Sequence, residues 1–275
     1  MSGSGRKIVF IGAGQMAEAL VRGLLAAGLA RPEDLLVTDV SPDRLAHFRA
    51  RYGIDGGNDN AAAARLADAL VLAVKPQVLP EVCRGLVGAL THDPLTISIA
   101  AGVPAARIED WLGGSARVVR AMPNMPALIG AGMTAIAPGR RATAKDLERA
   151  EQLLGAAGAV VRVREEELDA VTAVSGSGPA YVFYLAEAMR AAAEGLGLGP
   201  SLADTLVRRT ILGAGRLLEA EREANPEELR RRVTSKGGTT EAAVGVLETR
   251  GVRAAIVEAV RAAAARAREL SARAV

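Results

Sequence analysis

Lys7-Ile8-Val9-Phe10-Ile11-Gly12-Ala13-Gly14-Gln15-Met16-Ala17 decides how the rest of this chain is read. Residues 7–12 form a short run of β-branched and aromatic side chains closed by glycine, the pattern of a strand buried on both faces in a parallel sheet. Helical spacing follows at once over 15–28, with Met16, Leu20, Leu24 and Leu25 on one side and Gly28 as the stop. Between strand and helix stands G-x-G-x-x-A. Gly12 permits the tight turn, Gly14 lets a pyrophosphate approach the backbone, and Ala17 permits close helix packing. The helix N-terminus adds N–H donors and partial positive charge, so the turn reads as a dinucleotide phosphate loop. A plain strand-to-helix turn would carry the same glycines, but the acidic strand end at Asp39, one unit later, favours the dinucleotide.

Outward from this turn the alternation continues. Residues 35–40 are strand-like, 42–52 helical, 69–74 strand-like, 77–90 helical, and 95–100 and 117–122 strand-like; a strand at 132–137, a helix at 144–155 and a strand at 159–163 follow. Strands alternating with amphipathic helices imply βαβ units, hence an α/β, Rossmann-like domain with a doubly wound parallel sheet over residues 1–164. From 165 onward the β signals vanish. Ala/Leu/Arg/Glu segments at 179–195, 201–220, 227–233, 239–250 and 252–271 predict an all-helical domain over 165–275. These helices carry more apolar face than one small bundle can cover, which points to an intertwined dimer.

Composition narrows the class. Half of the 275 residues are hydrophobic and 24% are charged, as in a soluble globular protein. Aromatic residues are scarce (three Phe, three Tyr, one Trp) and alanine is abundant, so each side chain buries little area and stability must come from many contacts or a subunit interface. A net charge of +3, with both signs interspersed, argues against nucleic acid as a partner. The single cysteine, Cys83, lies in an apolar helical pattern and suits core packing in a reducing compartment. Met1–Gly5 has no apolar h-region and no run approaches the ~18 apolar residues of a membrane span, so a cytoplasmic protein is expected.

Several further positions are candidates for chemistry. Asp39 is placed to accept from a ribose 2′-OH, which favours NAD, whereas Ser41 and Arg44 offer groups to a 2′-phosphate; the cofactor is therefore NADPH or NADH. Lys75, in Val74-Lys75-Pro76, ends a buried strand at the sheet edge where α/β folds bind ligands, or is a plain exposed strand-end lysine. Asn60 either caps the helix of its alanine run or reaches the cofactor. Arg120-Ala121-Met122-Pro123-Asn124-Met125-Pro126 is stiffened by its prolines and suits the floor of a nicotinamide pocket, or a rigid turn.

In the helical half, Ser175-Gly176-Ser177-Gly178-Pro179-Ala180-Tyr181 and Thr234-Ser235-Lys236-Gly237-Gly238-Thr239-Thr240 each put small hydroxyl residues at a helix start, where free N–H groups can hold a carboxylate. Capping alone does not need two glycines before Thr239 and Thr240. The two histidines, His47 and His92, read as lying away from every motif, so histidine acid–base chemistry and a metal site are not expected.

Taken in order, the Gly12 loop, Ala73-Val74-Lys75-Pro76-Gln77, the Arg120–Pro126 segment, Ser175–Tyr181 and Thr234–Thr240 resemble the pyrroline-5-carboxylate reductases over nearly the whole chain. The two late motifs are the specific ones, because Rossmann dehydrogenases in general lack them. The resemblance implies reduction of 1-pyrroline-5-carboxylate to L-proline with NADPH or NADH, the last step of proline synthesis. It implies a homodimer built by the helical domain and open to further assembly into a ring or decamer of dimers. By the same resemblance Gly12, Ala13, Gly14, Gln15, Met16, Ala17, Asp39, Ser41, Asn60, Ala73, Val74, Lys75 and Pro76 correspond to cofactor contacts. Ser235, Gly237, Gly238, Thr239 and Thr240 correspond to the loop that holds the substrate carboxylate and faces the ring nitrogen. Gln15 stands where many members have Asn, and Lys236 where many have Pro.

A cyclic imine bound as its iminium is already electrophilic, so hydride transfer asks for alignment more than for an acid, in keeping with motifs that hold no histidine. Thr240 is assigned to orient the nitrogen, the 237–239 backbone to hold the carboxylate, and Lys75 a secondary electrostatic or structural role. Two rivals remain at this point: a 3-hydroxyacid dehydrogenase, for which Lys236 is the single lysine of the helical half, and a non-catalytic dinucleotide sensor.

Overall fold

The structure, a computed structural model, describes residues 7–273, so the Met1–Gly5 segment lies outside the described residues. β1 (Lys7–Ile11) is central because four successive side chains, Ile8 to Ile11, need cover. Ile8 and Phe10 pack with Leu20, Leu24, Val37 and Phe48 on one face, while Val9 and Ile11 pack with Leu70, Leu72, Leu79, Cys83 and Leu86 on the other. Only a strand with helices on both sides satisfies that pattern. β1 pairs in parallel with β2 (Leu35–Thr38) and β4 (Ala67–Leu72), and β2 pairs with the short β3 (Asp55–Gly57). With β5 (Leu95–Ser98), β6 (Arg117–Met122), β7 (Gly132–Pro138) and β8 (Gly158–Arg162) the sheet has eight strands in the order β3-β2-β1-β4-β5-β6-β7-β8. Strand order reverses at β1, so the crevice beyond its carboxyl end is the switch point where open α/β sheets bind ligands.

α1 (Gln15–Ala26), α2 (Pro42–Tyr52) and α6 (Ala144–Gly155) contribute Leu20, Phe48 and Leu153 to the first face. α4 (Leu79–Leu86) and α5 (Ala105–Trp111), with the one-turn α3 (Asn60–Ala64), cover the second with Leu79, Ile108 and Ala63. Periodicity predicts neither α5 nor β3, and α3 is expected only as the helix of the alanine run at Asn60. β3 is Asp-Gly-Gly, with no apolar signal, and at Gly56 a Cβ would lie 2.6 Å from the Val37 carbonyl oxygen, so close strand approach excludes the side chains that would have announced a strand.

One feature corrects the expected parallel sheet: β7 runs antiparallel to β6. Only residues 123–131, with a 3-10 turn at Met125–Ile129, connect the two, too short a link for the crossover helix that parallel pairing requires.

Contacts divide the chain into two units. The first runs to Ser177 and takes back the chain from Ala263; the second is Gly178–Ala262. α7 (Leu168–Val171) stays with the sheet because Leu168 packs under Ala135 and Ala137. The end of α12 (Val252–Arg273) belongs there too: Ser271 Oγ donates to Asp169 Oδ1 at 2.9 Å, and Leu270 Cβ lies 3.2 Å from where Gly102, in the left-handed region at φ +72°, would carry a side chain.

The second unit comprises α8 (Gly178–Gly195), α9 (Pro200–Ala220), α10 (Pro226–Arg232), α11 (Thr239–Thr249) and the first part of α12. Within it only Ala203 and Val207 are buried, whereas Phe183, Tyr184, Leu185, Leu206 and Leu217 are exposed. So much uncovered apolar surface marks an association face. Among the described residues no helix is long and apolar enough to cross a membrane.

Candidate active site

Gly12 follows β1 at φ +103°, and a Cβ there would stand 2.7 Å from the Ala73 carbonyl oxygen, so both conformation and space demand glycine. Gly14 differs. It is the N-cap of α1 at φ −70°, ψ 176°, and a Cβ there would meet nothing within 4 Å. The loop is therefore open toward solvent at the helix N-terminus, over N–H groups that have no carbonyl one turn back. Ala17 is fully buried against the sheet. This cradle fits a pyrophosphate. A cavity of about 480 Å³ beside it is lined by Gly12, Thr38, Asp39, Asn60, Val74 and Val82, among others, a size suited to a ligand of this kind.

Asp39 does more than the sequence suggested. Its Oδ2 accepts from the Ala13 N–H at 2.7 Å and its Oδ1 from the Ser41 N–H at 2.8 Å, so it ties the end of β2 to the glycine loop. An ionised carboxylate has about four acceptor positions, leaving capacity for ribose hydroxyls. Asn60 is not the cap of its helix, a correction to one of its two readings. Asp59 caps α3 by accepting from Ala62 N–H, while Asn60 Oδ1 accepts from Thr38 Oγ1 at 2.6 Å, which leaves its amide nitrogen to reach a ligand. Ser41 is the N-cap of α2, and Gln15 and Met16 open α1. Lys75 is exposed just beyond β4, with Ala73, Val74 and Pro76 half-buried beside it. Val40, inside the Asp39–Ser41 segment, lines the same cavity, as do Val78 and Val82, which the sequence reading missed. Val78 and Val82 lie one helical turn apart and are legible as an apolar pair.

His47 is not remote from the motifs. From α2 its Nε2 meets Glu18 Oε1 at 2.7 Å, in the first turn of the phosphate-loop helix. Glu18 also accepts from Arg44 Nη2 at 2.7 Å and Tyr52 Oη at 2.9 Å. Burial pushes the Glu18 carboxyl up, but the hydrogen bonds from Arg44, His47 and Tyr52 outweigh it and hold its pKa at about 2. Because this lies below the ordinary 4.5, the stabilisation is fully present above about pH 4.5 and is lost as the pH falls through 2. Thermal melts between pH 5 and 2 should show a steeper loss of Tm for the wild type than for E18Q; parallel curves would contradict the linkage. His92 bonds the Ala67 carbonyl and serves the fold.

The proline-bracketed segment is held by its asparagine. Asn124 Oδ1 accepts from Met133 N–H at 2.8 Å, and its Nδ2 donates to the Ser175 carbonyl and Oγ, both at 3.2 Å. Ser175 lies in a π-helical turn, Thr172–Gly176, a local widening frequent at functional sites. Arg120 is buried and pairs with Glu165, which also accepts from the Ala105 N–H.

In the second unit Gly238 caps α11 and Gly237 sits at φ +73°. A Cβ on Gly238 would lie 2.5 Å from Ser235 Oγ, so a larger residue there would have to turn the Ser235 hydroxyl aside. The Gly237 N–H donates to Glu241 Oε2 at 2.7 Å and so is already partnered, whereas the Thr239 and Thr240 N–H groups open a helix. Thr240 is half-buried, and Ser235, Lys236 and Thr239 are exposed. Cys83 is buried, which pushes its thiol up to about 12 and leaves it inert. Among the described residues no cluster of His, Cys, Asp or Glu could hold a metal ion.

Two family models match: "Pyrroline-5-carboxylate reductase dimerisation" over residues 165–270 and "NADP oxidoreductase coenzyme F420-dependent" over residues 7–102. The chain is 44% identical over 265 residues to the pyrroline-5-carboxylate reductase of Methanosarcina acetivorans, covering 96% of this chain and 98% of that one. A solved pyrroline-5-carboxylate reductase from Coxiella burnetii superposes with a TM-score of 0.91 at 41% identity, covering 98% of this chain and 99% of that one. The Plasmodium falciparum pyrroline carboxylate reductase, solved with NADP bound, superposes with a TM-score of 0.87 at 27% identity, covering 97% and 98%.

Proposed function

The chain belongs to the pyrroline-5-carboxylate reductase family, and from that premise we propose how its residues divide the work. It is an NAD(P)H-dependent oxidoreductase that reduces 1-pyrroline-5-carboxylate to L-proline, and it is a homo-oligomer through its helical half. The observation that carries the reading is the paired glycines of the phosphate loop: one is locked by space, the other left open where a pyrophosphate would approach.

In the assignment we favour, the Gly12–Ala17 loop and the first N–H groups of α1 receive the pyrophosphate. Asp39, Ser41 and Asn60 face the adenosine ribose, and Val40, Val78 and Val82 give an apolar bed for the adenine. Ala73, Val74, Lys75 and Pro76 border the nucleotide at the end of β4. The dinucleotide supplies a hydride. The ring would enter protonated, so its iminium N–H would donate to Thr240 Oγ1, which would fix the ring plane, and its reduction to the neutral amine would need no further acid from the protein. The substrate carboxylate falls to the Thr239 and Thr240 N–H groups and the Ser235 hydroxyl, since the Gly237 N–H is engaged by Glu241. Lys75 contributes positive charge near the nucleotide. We assign the nucleotide half to residues 1–164, the substrate and dimerisation half to 165–275, and the working compartment to the cytoplasm, in keeping with a lone buried thiol.

Following the absorbance loss of NADH and of NADPH separately, with 1-pyrroline-5-carboxylate as acceptor, tests the reading. Oxidation that depends on the pyrroline supports it. Nucleotide binding without any oxidation would favour a dinucleotide sensor instead.

A further inference from the structure

Arg44 is the basic side chain nearest to Asp39 and Ser41 in the sequence, and it stands in the first turn of α2, the helix that Ser41 caps. In many dinucleotide enzymes an arginine in that neighbourhood receives the 2′-phosphate that distinguishes NADPH from NADH. Here two of its three nitrogens are directed elsewhere. Nε donates to the Ala13 carbonyl at 2.7 Å, Nη2 donates to Glu18 Oε2 at 2.7 Å, and the guanidinium carbon lies 5.5 Å from the Phe48 ring centre. A phosphate is bound well by arginine when two parallel N–H groups and an uncompensated charge face it. The Nε–Nη2 edge of Arg44 is taken by Ala13 and Glu18 and its charge is compensated by Glu18, which weakens what its remaining Nη1–Nη2 edge can offer a phosphate, and Asp39 adds a further negative charge beside the ribose position.

Glu18 is itself anchored. His47 and Tyr52 hold its other oxygen, and its side chain is only 20% exposed, so this is no freely exchanging surface pair. Its carboxylate stays charged throughout the neutral range.

We propose that Glu18 is a specificity-determining positioning residue: by holding Arg44 against the phosphate loop it weakens recognition of a ribose 2′-phosphate and biases the enzyme toward the dinucleotide with a free 2′-hydroxyl. The proposal rests on the dinucleotide reading of the glycine loop.

Equilibrium titrations of NADH and of NADPH, followed by the fluorescence of the reduced nucleotide at fixed ionic strength, provide the test on the full-length protein. E18Q keeps the shape of the side chain and the means to bond Tyr52 but removes the charge. It should tighten NADPH relative to NADH by about tenfold, roughly the value of one charge-assisted hydrogen bond in a partly exposed site. E18Q/R44Q should lose that gain. A ratio unmoved in E18Q, a shift toward NADH, or a gain that survives in the double variant each overturns the proposal. A merely structural Glu18 would alter both affinities together and leave their ratio alone. If E18Q melts below the assay temperature, the titrations are run below its melting point, with the same expectation for the ratio. Wild-type protein that binds neither nucleotide would instead sink the reading of the loop, so the two failures are distinguishable.

Discussion

Gly14→Val is expected to leave the protein folded and to weaken binding of both NADH and NADPH by on the order of a hundredfold, the loss of about two charge-assisted hydrogen bonds. The backbone at Gly14 lies in the extended region that valine adopts readily, and the new Cβ would meet nothing within 4 Å. The side chain would fill the space that the loop leaves open, so it costs the apo protein little and excludes the pyrophosphate. Gly12→Ala supplies the contrast. Its Cβ would stand 2.7 Å from the Ala73 carbonyl oxygen in a left-handed conformation, so both fold and binding should suffer. Positive-φ strain alone is worth on the order of 1–3 kcal/mol, and the clash adds to it. Melting curves and nucleotide titrations on the two variants separate the cases. G14V binding nucleotide as the wild type does would remove the phosphate from this loop.

Thr240→Ala should lower kcat by about a hundredfold while the dissociation constants of NADH and NADPH stay within about twofold, because a positioned hydroxyl acts on the reacting ring and not on the nucleotide. Thr240 sits half-buried at the second residue of α11 and has no assigned part in the core, so the melting temperature should move little. Thr240→Ser keeps the hydroxyl and should recover most of the turnover. Turnover unchanged in T240A would refute the role given to this residue, and a proportional loss of nucleotide binding would show that the turn acts on the cofactor instead.

The histidine at position 47 shows how the sequence reading went astray. Its helix looks like a surface element, because the three residues that meet at Glu18 all come from α2 and form no motif. Nothing in the spacing of Arg44, His47 and Tyr52 announces that they converge on one carboxylate of α1. Asp39 was read as a ribose ligand from its place at a strand end, yet its bond to Ala13 joins residues 26 positions apart. Asn124 likewise reaches Ser175 across 51 positions.

By itself the sequence determined the alternation of strands and helices, the phosphate loop, the helical second half and, through two late glycine–hydroxyl motifs, the family. Those features are local: periodicity, helix stops and glycines forced by tight turns are written within a dozen residues. Only the tertiary structure decided the antiparallel β7, the return of the last helix to the sheet, the engagement of the Gly237 amide by Glu241 and the capture of Arg44 by Glu18. Most of these pair groups distant in the chain, and all depend on where a short link or a side chain ends up in space, which backbone propensity does not encode.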